Sequence, residues 1–272
     1  MRGPLNKDTR LCISLAARPS NIGTRFHNYL YDVLGLDFIY KAFTTTDIVA
    51  AIGGVRALGI RGCSVSMPFK EDVIALVDVV EPSAKAIHSV NTIVNDDGRL
   101  TASNTDYVAV ERLIGEHGLQ SSQSVLIRGS GGMASAVGAA FHDNGFHDGT
   151  VVARNADTGR MLAERLGYGY VSEVGTLTAD VIVNVTPVGM AGGPDENEVA
   201  FDAQTIAKAH TVFDVVALPS ETPLIAAARA AGSNLITGAE VIALQAAEQF
   251  ERYTGVRPTD EQVVAASAVS RA

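Results

Sequence analysis

Short apolar runs alternate with stretches of helical spacing along the first part of the chain. The predicted elements are a strand at 11–15, a helix at 24–34 that ends at Gly35, a strand at 38–43, a helix at 47–58, a strand at 62–66 and a helix that begins near Pro68. Two β-rich stretches, 92–95 and 100–103, flank Asp96-Asp97-Gly98, which predicts a tight hairpin. This alternation ends near Thr105.

A second series begins at Tyr107. The elements predicted there are a helix at 107–117 stopped by Gly118, a strand at 124–128, a glycine-rich turn, a helix through His142, and strands at 150–153, 181–185 and 212–216 with helices between them. Strands that alternate with helices indicate a parallel sheet, so the predicted fold class is α/β with two domains. The last two predicted helices, at about 240–253 and 259–270, could pack on either domain.

Composition narrows the class of protein. The 272 residues suffice for two modest domains, and the apolar (47%) and charged (19%) fractions are ordinary for an α/β protein. The net charge of −9 argues against nucleic-acid or anionic-membrane partners. The expected partner is a small-molecule ligand, and the expected assembly is a monomer or homodimer. No apolar run is long enough to span a membrane, and no signal-type core follows the N-terminus, which predicts a cytoplasmic location. Cys12 and Cys63 are interpreted as small buried hydrophobes in a reducing compartment.

The segment Gly129-Ser130-Gly131-Gly132-Met133-Ala134 lies between a predicted strand and a predicted helix, as a dinucleotide-binding turn requires. Gly129 permits the tight turn, and Ala134 permits close packing of helix on strand. Gly131 lets backbone amides approach a pyrophosphate, whose negative charge the helix N-terminus favours. A plain tight turn is the alternative, but the combination of strand, turn and helix favours a dinucleotide.

Arg154 follows the next strand, where an NAD-binding protein usually has an acidic residue for the ribose 2′-hydroxyl. A guanidinium can instead bind a 2′-phosphate through two hydrogen bonds. A solvated arginine at a strand end is the ordinary alternative. Beside the glycine turn, Arg154 favours NADP.

Three polar loop segments carry the candidate chemistry. Lys70 closes the segment 64–70, Asn91 lies within 89–92, and Asp106 closes 103–106. Taken singly, they could be an exposed lysine, a turn residue and a helix N-cap. Together, ahead of a cofactor domain, they suggest proton transfer coupled to hydride transfer.

Other reaction classes have little support. The six histidines are scattered, and His142 and His147 flank an Asn-Gly turn without the cysteine and carboxylate neighbours of a metal site, so no metal is predicted. Ser130 lacks the Gly-x-Ser-x-Gly pattern of a hydrolase nucleophile.

These motifs resemble, nearly end to end, those of the shikimate dehydrogenase family, and most of all its shikimate dehydrogenase-like branch. The matching segments are 65–70 (VSMPFK), 90–92 (VNT), 104–106 (NTD), the glycine turn 129–134, part of 153–155 (ARN), 184–189 (NVTPVG), Gly238 and 245–250 (QAAEQF).

The resemblance implies a substrate-binding and catalytic domain at 1–105, a Rossmann-like NADP-binding domain with a parallel sheet at 106–237, and C-terminal helices at 238–272 that pack back on the substrate domain. It also implies NADP-linked interconversion of 3-dehydroshikimate and shikimate, or of a closely related cyclic hydroxy acid, in the biosynthesis of chorismate and the aromatic amino acids.

The resemblance also assigns residues. Lys70 would be the acid/base group with Asp106 beside it, acting either through desolvation of the lysine or as a relay. The substrate-binding residues would be Asn21, Gly23, Ser66, Asn91 and Gln245. The cofactor-binding residues would be Gly129, Ser130, Gly131, Gly132, Met133, Ala134, Arg154, Asn155, Thr186, Val215 and Gly238.

Two departures concern the substrate. Aligned on His27-Asn28, Asn21 and Gly23 stand where most family members have two serines that hold the substrate carboxylate, and Ala217 replaces a family tyrosine. Asn21, Thr24 and Ser66 could supply donors instead.

The expected substrate is therefore shikimate or a close relative, with quinate, aminoshikimate or another ring acid as alternatives. A cofactor-binding regulatory protein with weak turnover is the alternative from another class. The intact set of Lys70, Asn91, Asp106 and Gln245 argues against it, because a sensor does not need an acid/base pair.

Overall fold

The computed structural model describes residues 3–271, so residues 1, 2 and 272, at the ends of the predicted domains, lie outside the described residues. The chain divides into two compact units. The first comprises Met1–Thr105 and Ala243–Ala272, and the second comprises Asp106–Ile242. Each unit contains a six-stranded sheet, and between residues 3 and 271 no helix is long and apolar enough to cross a bilayer.

The first unit contains a mixed sheet in the order β2-β1-β3-β5-β6-β4. Its strands are β1 (Arg10–Ala16), β2 (Phe38–Thr44), β3 (Gly62–Val65), β4 (Val79–Val80), β5 (Thr92–Asp96) and β6 (Arg99–Ser103). β1 pairs in parallel with β2 and β3, whereas β5 pairs antiparallel with β3 and β6. The predicted hairpin joins β5 to β6, with left-handed backbone at Asp97 (φ 51°) and Gly98 (φ 89°), as a two-residue turn requires.

Alternate residues of a strand point to opposite sides of a sheet, and buried clusters cover both sides of this one. Ile13 and Leu15 of β1 belong to a core cluster that includes Ile52 of α2 (Ile48–Ala57). Cys12 belongs to a cluster that includes Phe26 of α1 (Ile22–Leu34). This second cluster also includes residues of the C-terminal helices.

The predicted helix at Pro68 was wrong. The chain forms turns after a cis Met67–Pro68 peptide, and a 3₁₀ helix begins only at Asp72 (Asp72–Leu76). The backbone of this segment pairs with another loop at Lys70, whose carbonyl accepts a hydrogen bond from the Val90 N–H (2.8 Å). A one-turn helix, α3 (Pro82–Lys85), follows later in this segment.

The second unit contains a fully parallel sheet in the order β12-β11-β10-β7-β8-β9. Its strands are β7 (Val125–Arg128), β8 (Gly149–Val152), β9 (Gly169–Val171), β10 (Val181–Asn184), β11 (Thr211–Asp214) and β12 (Asn234–Thr237). This is the doubly wound order of Rossmann folds, so the predicted α/β fold class is confirmed. The prediction did not include β9 and β12, the two edge strands.

Helices connect the strands of this unit. They are α4 (Thr105–Glu116), α5 (Gly132–Asp143), α6 (Ala156–Leu166), α7 (Ala203–Lys208) and α8 (Pro223–Ala231). α9 (Gly238–Thr254) belongs to the second unit up to Ile242 and to the first from Ala243, and α10 (Asp260–Arg271) belongs to the first.

Candidate active site

The glycine turn between β7 and α5 has the geometry of an anion-binding loop. Gly129 has a φ of 129°, and a Cβ there would lie 2.7 Å from the Val185 Cγ2, so the position requires glycine. Gly131 is the N-cap of α5 and provides no side-chain cap, and the space around Gly131 and Gly132 is open. The first amides of α5 therefore point at a space that a phosphate can occupy.

A cleft of about 880 Å³ lies at the carboxyl ends of β7, β8 and β10. This is where the strand order reverses, the usual ligand position in such sheets. Of the predicted cofactor-binding residues, those lining the cleft are Gly129, Ser130, Gly131, Arg154, Asn155 and Thr186. Sequence reasoning had not identified the other charged residues that line it, which are Arg128, Glu173, Asp195, Glu198 and Asp202.

Hydrogen bonds fix the walls of the cleft. The Ser130 hydroxyl lies 2.7 Å from that of Thr158, and the Asn155 carboxamide oxygen caps α6 by accepting from the Asp157 and Thr158 amides (3.0 and 3.2 Å). The Thr186 hydroxyl donates to the Asn184 Oδ1 (2.6 Å). Arg154 is exposed beside them.

The other five predicted cofactor residues do not line this cleft. Gly132 and Met133 lie in the first turn of α5, and Ala134 is fully buried beneath them. A Cβ on Gly238 would collide with the Val215 carbonyl, so backbone packing alone explains this glycine.

Asn91 is the centre of a buried network in the first unit. It is 3% exposed, and its Oδ1 accepts from the Thr105 N–H (2.8 Å), the Thr92 hydroxyl (2.8 Å) and the Thr105 hydroxyl (3.1 Å). Among residues 3–271 its Nδ2 meets no acceptor. Asn91 thus holds the peptide that precedes Asp106 and keeps one polar group for a ligand.

Gln249, which sequence reasoning missed, supports this network. Its Nε2 donates to the Thr92 hydroxyl (2.9 Å) and lies 3.3 Å from the Ser64 hydroxyl and 3.4 Å from the Asn91 carbonyl. It lies one turn after the predicted ligand Gln245 on α9, so helical spacing could have indicated it.

Lys70 and Asn91 are neighbours through their backbones, because the Lys70 carbonyl accepts from the Val90 N–H. Lys70 is half-buried in the first unit, and Asp106 is half-buried on α4 as the first residue of the second. Gln245 is also half-buried, and Ser66 is exposed directly after β3.

Asn21 and Gly23, which stand in place of the two family serines, lie at the first turn of α1. Asn21 is an exposed N-cap without a side-chain capping bond. A Cβ on Gly23 would lie 3.6 Å from the Tyr40 hydroxyl oxygen. The Thr24 hydroxyl is buried and has no hydrogen-bond partner among residues 3–271, so in this conformation it is not a donor for a ligand.

Aromatic rings and burial set the electrostatics of this region. His27 is fully buried and stacks on Tyr40, with ring centroids 4.4 Å apart. Burial lowers the pKa of His27 to about 3. Burial also raises the pKa of Tyr40, and hydrogen bonds from the Ser14 and Ser64 hydroxyls partly oppose that shift. Both rings are therefore neutral at physiological pH.

In the second unit, Asp214 at the end of β11 has a structural role. Burial raises the pKa of its carboxyl group, which is hydrogen-bonded to the Thr222 hydroxyl (2.6 Å), the Asn184 amide (3.0 Å) and the Val216 N–H (3.1 Å). Ala217, which replaces the family tyrosine, follows shortly after Asp214 in the chain and is also buried. Within residues 3–271 no group of three or more His, Cys, Asp or Glu side chains is arranged to hold a metal ion.

Comparison with known proteins gives consistent matches. A family model of the shikimate dehydrogenase substrate binding domain matches residues 21–93. A shikimate dehydrogenase-like protein of Haemophilus influenzae is 57% identical over 267 residues, 98% of this chain and 98% of that protein.

Solved structures agree with these sequence matches. A shikimate 5-dehydrogenase-like protein has a TM-score of 0.97 at 56% identity, covering 99% of this chain and 100% of that chain. Shikimate 5-dehydrogenase of Thermus thermophilus, in complex with NADP(H) and shikimate, has a TM-score of 0.85 at 27% identity, covering 96% and 99%.

Proposed function

The chain belongs to the shikimate dehydrogenase family, and we propose that it is an NADP-dependent oxidoreductase that interconverts a ring hydroxyl and a ring ketone on shikimate or a closely related cyclic hydroxy acid. The observation that carries this proposal is the cleft at the strand-order reversal of the second unit. It combines a glycine turn, uncapped helix amides and Arg154, without an acidic residue directly after β8.

The residues of the cleft fit a phosphorylated dinucleotide. A Cβ at position 129 would clash with Val185, so the tight turn needs glycine, and the open N-terminus of α5 suits a pyrophosphate. Arg154 suits a 2′-phosphate, because a guanidinium donates two parallel hydrogen bonds. When bound, NADP supplies the hydride acceptor of the reaction.

Lys70 supplies the proton chemistry in this proposal. It holds the proton that moves to or from the substrate oxygen, and Asp106 takes part in the same acid/base step. Asn91 donates through Nδ2 to a ring hydroxyl, since its oxygen already accepts three hydrogen bonds. Gln245 donates to a second hydroxyl, and Gln249 positions the Asn91 loop.

This chain has fewer hydrogen-bond donors for the substrate carboxylate than the family pattern provides. The serine positions carry Asn21 and Gly23, and the Thr24 hydroxyl is buried. Asn21 and Ser66 are exposed and remain as donors. We therefore propose measurable but poor oxidation of shikimate, and retain quinate, aminoshikimate and other ring acids as possible preferred substrates.

NADPH absorbance across a panel of cyclic hydroxy acids tests this function. We expect turnover with NADP rather than NAD, and a high KM for shikimate. Tight NADPH binding without turnover of any panel member would refute the enzymatic proposal and support a regulatory protein. Efficient shikimate turnover at low-micromolar KM would refute only the claim about the carboxylate site.

A further inference from the structure

Arg128 occupies an unusual position for a charged residue. It is the last residue of the central strand β7, directly before Gly129, and Val125, Leu126 and Ile127 before it are buried. A central parallel strand normally continues as an apolar run, since both faces of the sheet are covered. Arg128 is instead half-buried and lines the cleft.

Asp195 is the acidic residue whose charge acts on the guanidinium of Arg128. Across residues 3–271, neither Arg128 nor Arg154 forms an ion pair or a side-chain hydrogen bond. Burial and the nearby charge of Arg154 lower the pKa of Arg128, and Asp195 opposes this only partly. A partly buried charge is costly unless it is paired, so the half-buried Arg128, beside the exposed Arg154, indicates an anionic ligand at this part of the cleft.

Both arginines lie at the carboxyl ends of neighbouring strands and line the same cleft. Arg128 pairs with Val152 of β8, and Arg154 lies two residues beyond Val152. Beyond β8 the Ala153 N–H donates to the Val171 carbonyl (3.1 Å), and the chain bends at Arg154. Both arginines line the cleft, and the charge of Arg154 acts on Arg128.

We propose that Arg128 is a second ligand of the cofactor's 2′-phosphate, sharing it with Arg154. This inference rests on the proposed function, because it assumes that NADP occupies the cleft. The pyrophosphate is the rival target, but the glycine turn and the uncapped α5 amides already supply donors for that group.

The experiment measures NADP⁺ and NAD⁺ dissociation constants by calorimetry for wild type and Arg128→Met, which keeps an apolar stem and removes the charge. We expect NADP⁺ to bind about tenfold to a hundredfold more weakly, as for loss of a hydrogen bond to a charged group. NAD⁺ affinity should change by less than about threefold, since it lacks the 2′-phosphate. Arg154→Met should give the same pattern.

Two controls separate ligand binding from folding. Arg165→Met removes an arginine of α6 that does not line the cleft, and should leave both affinities unchanged. The unfolding temperature of ligand-free Arg128→Met should not fall, because the lost charge has no partner to leave behind. Arg128→Lys keeps the charge without the two-pronged geometry, and should bind NADP⁺ with intermediate affinity.

Unchanged NADP⁺ affinity in Arg128→Met or Arg128→Lys would overturn the proposal. Equal losses for NADP⁺ and NAD⁺ would also overturn it, because they would place Arg128 at the pyrophosphate or in a structural role. If the wild type itself binds no NADP⁺, the proposed function fails as well. If the wild type binds NADP⁺ and turns over substrate but Arg128→Met shows no selective loss of NADP⁺ affinity, only the role of Arg128 is refuted.

Discussion

Serine at positions 21 and 23 should improve shikimate oxidation. The double variant Asn21→Ser, Gly23→Ser restores the two hydroxyls that the family places at the substrate carboxylate. The prediction rests on the first turn of α1, where this chain has one exposed carboxamide and one glycine. The double variant tests whether the loss of these two hydroxyls alone lowers kcat/KM for shikimate.

Both serines fit the structure. The Cβ at position 23 would lie 3.6 Å from the Tyr40 hydroxyl oxygen and from its Cε1, which is ordinary van der Waals contact. The added Cβ therefore needs no movement of the strand that carries Tyr40. At position 21 no capping bond is lost, and serine is as good an N-cap as asparagine.

The magnitude follows from the hydrogen bonds gained. Each hydroxyl contributes about 0.5–1.5 kcal/mol net, and more when its partner is a carboxylate. Two of them give about 1–3 kcal/mol, which corresponds to an increase in kcat/KM of about fivefold to 150-fold. The gain should appear mainly as a lower KM, because a carboxylate remote from the reacting carbon is bound alike in ground and transition states.

The assay is the initial rate of NADPH formation over a range of shikimate concentrations. The matched control is Gly23→Ala, which adds the same Cβ without a hydroxyl. Alanine and serine should both stabilise the helix relative to glycine, by up to about 1 kcal/mol for alanine, so both should raise the unfolding temperature. Only the serine variants should raise kcat/KM.

A double variant that folds, binds NADPH normally and oxidises shikimate no better than Gly23→Ala would refute the role of the two hydroxyls. So would a wild type that already has a low-micromolar KM for shikimate, since Asn21 and Ser66 would then supply the missing donors. An equal gain with Gly23→Ala would assign the effect to helix stability.

Two further predictions follow from the first unit. Lys70→Ala should reduce kcat by about 10²-fold or more while sparing NADPH affinity, and near-normal kcat would remove Lys70 from the mechanism. His27, whose pKa burial lowers from 6.5 to about 3, is protonated more readily in the unfolded chain, so the free energy of unfolding should fall as pH decreases from 6.5 towards 3, by about 3 kcal/mol near pH 4.5. Denaturant titrations of wild type and His27→Phe should diverge over that range, and parallel curves would contradict the assignment to His27.

Strong periodicity explains most of what the sequence predicted. Val125, Leu126 and Ile127 form an uninterrupted apolar run, as a strand covered on both faces requires. The edge strands β9 and β12 lack such runs, because Gly169 and Asn234 face solvent. The segment after Pro68 was predicted as a helix because a proline suits the first helical turn, yet the Lys70 carbonyl bonds to the Val90 N–H instead.

Residues defined by long-range packing were harder to predict. Gln245 and Gln249 share one face of α9, and only the docking of that helix on the sheet brings Gln249 to Thr92. Arg128 ends an apolar strand, and pattern alone treats it as the point where the strand reaches solvent. Its significance depends on the cleft that it lines together with Arg154, and that cleft is not visible in one dimension.

The two halves of the substrate site differ in how freely their residues can change. The Asn91 oxygen serves three buried donors, so its replacement would leave unsatisfied groups at about 1–3 kcal/mol each, and would loosen the peptide before Asp106. Asn21 makes no capping bond and Gly23 has room for a larger side chain, so substitution there costs little stability. Under the proposed function, specificity for the acid group can therefore shift at the first turn of α1 without a change at Lys70 or Asn91.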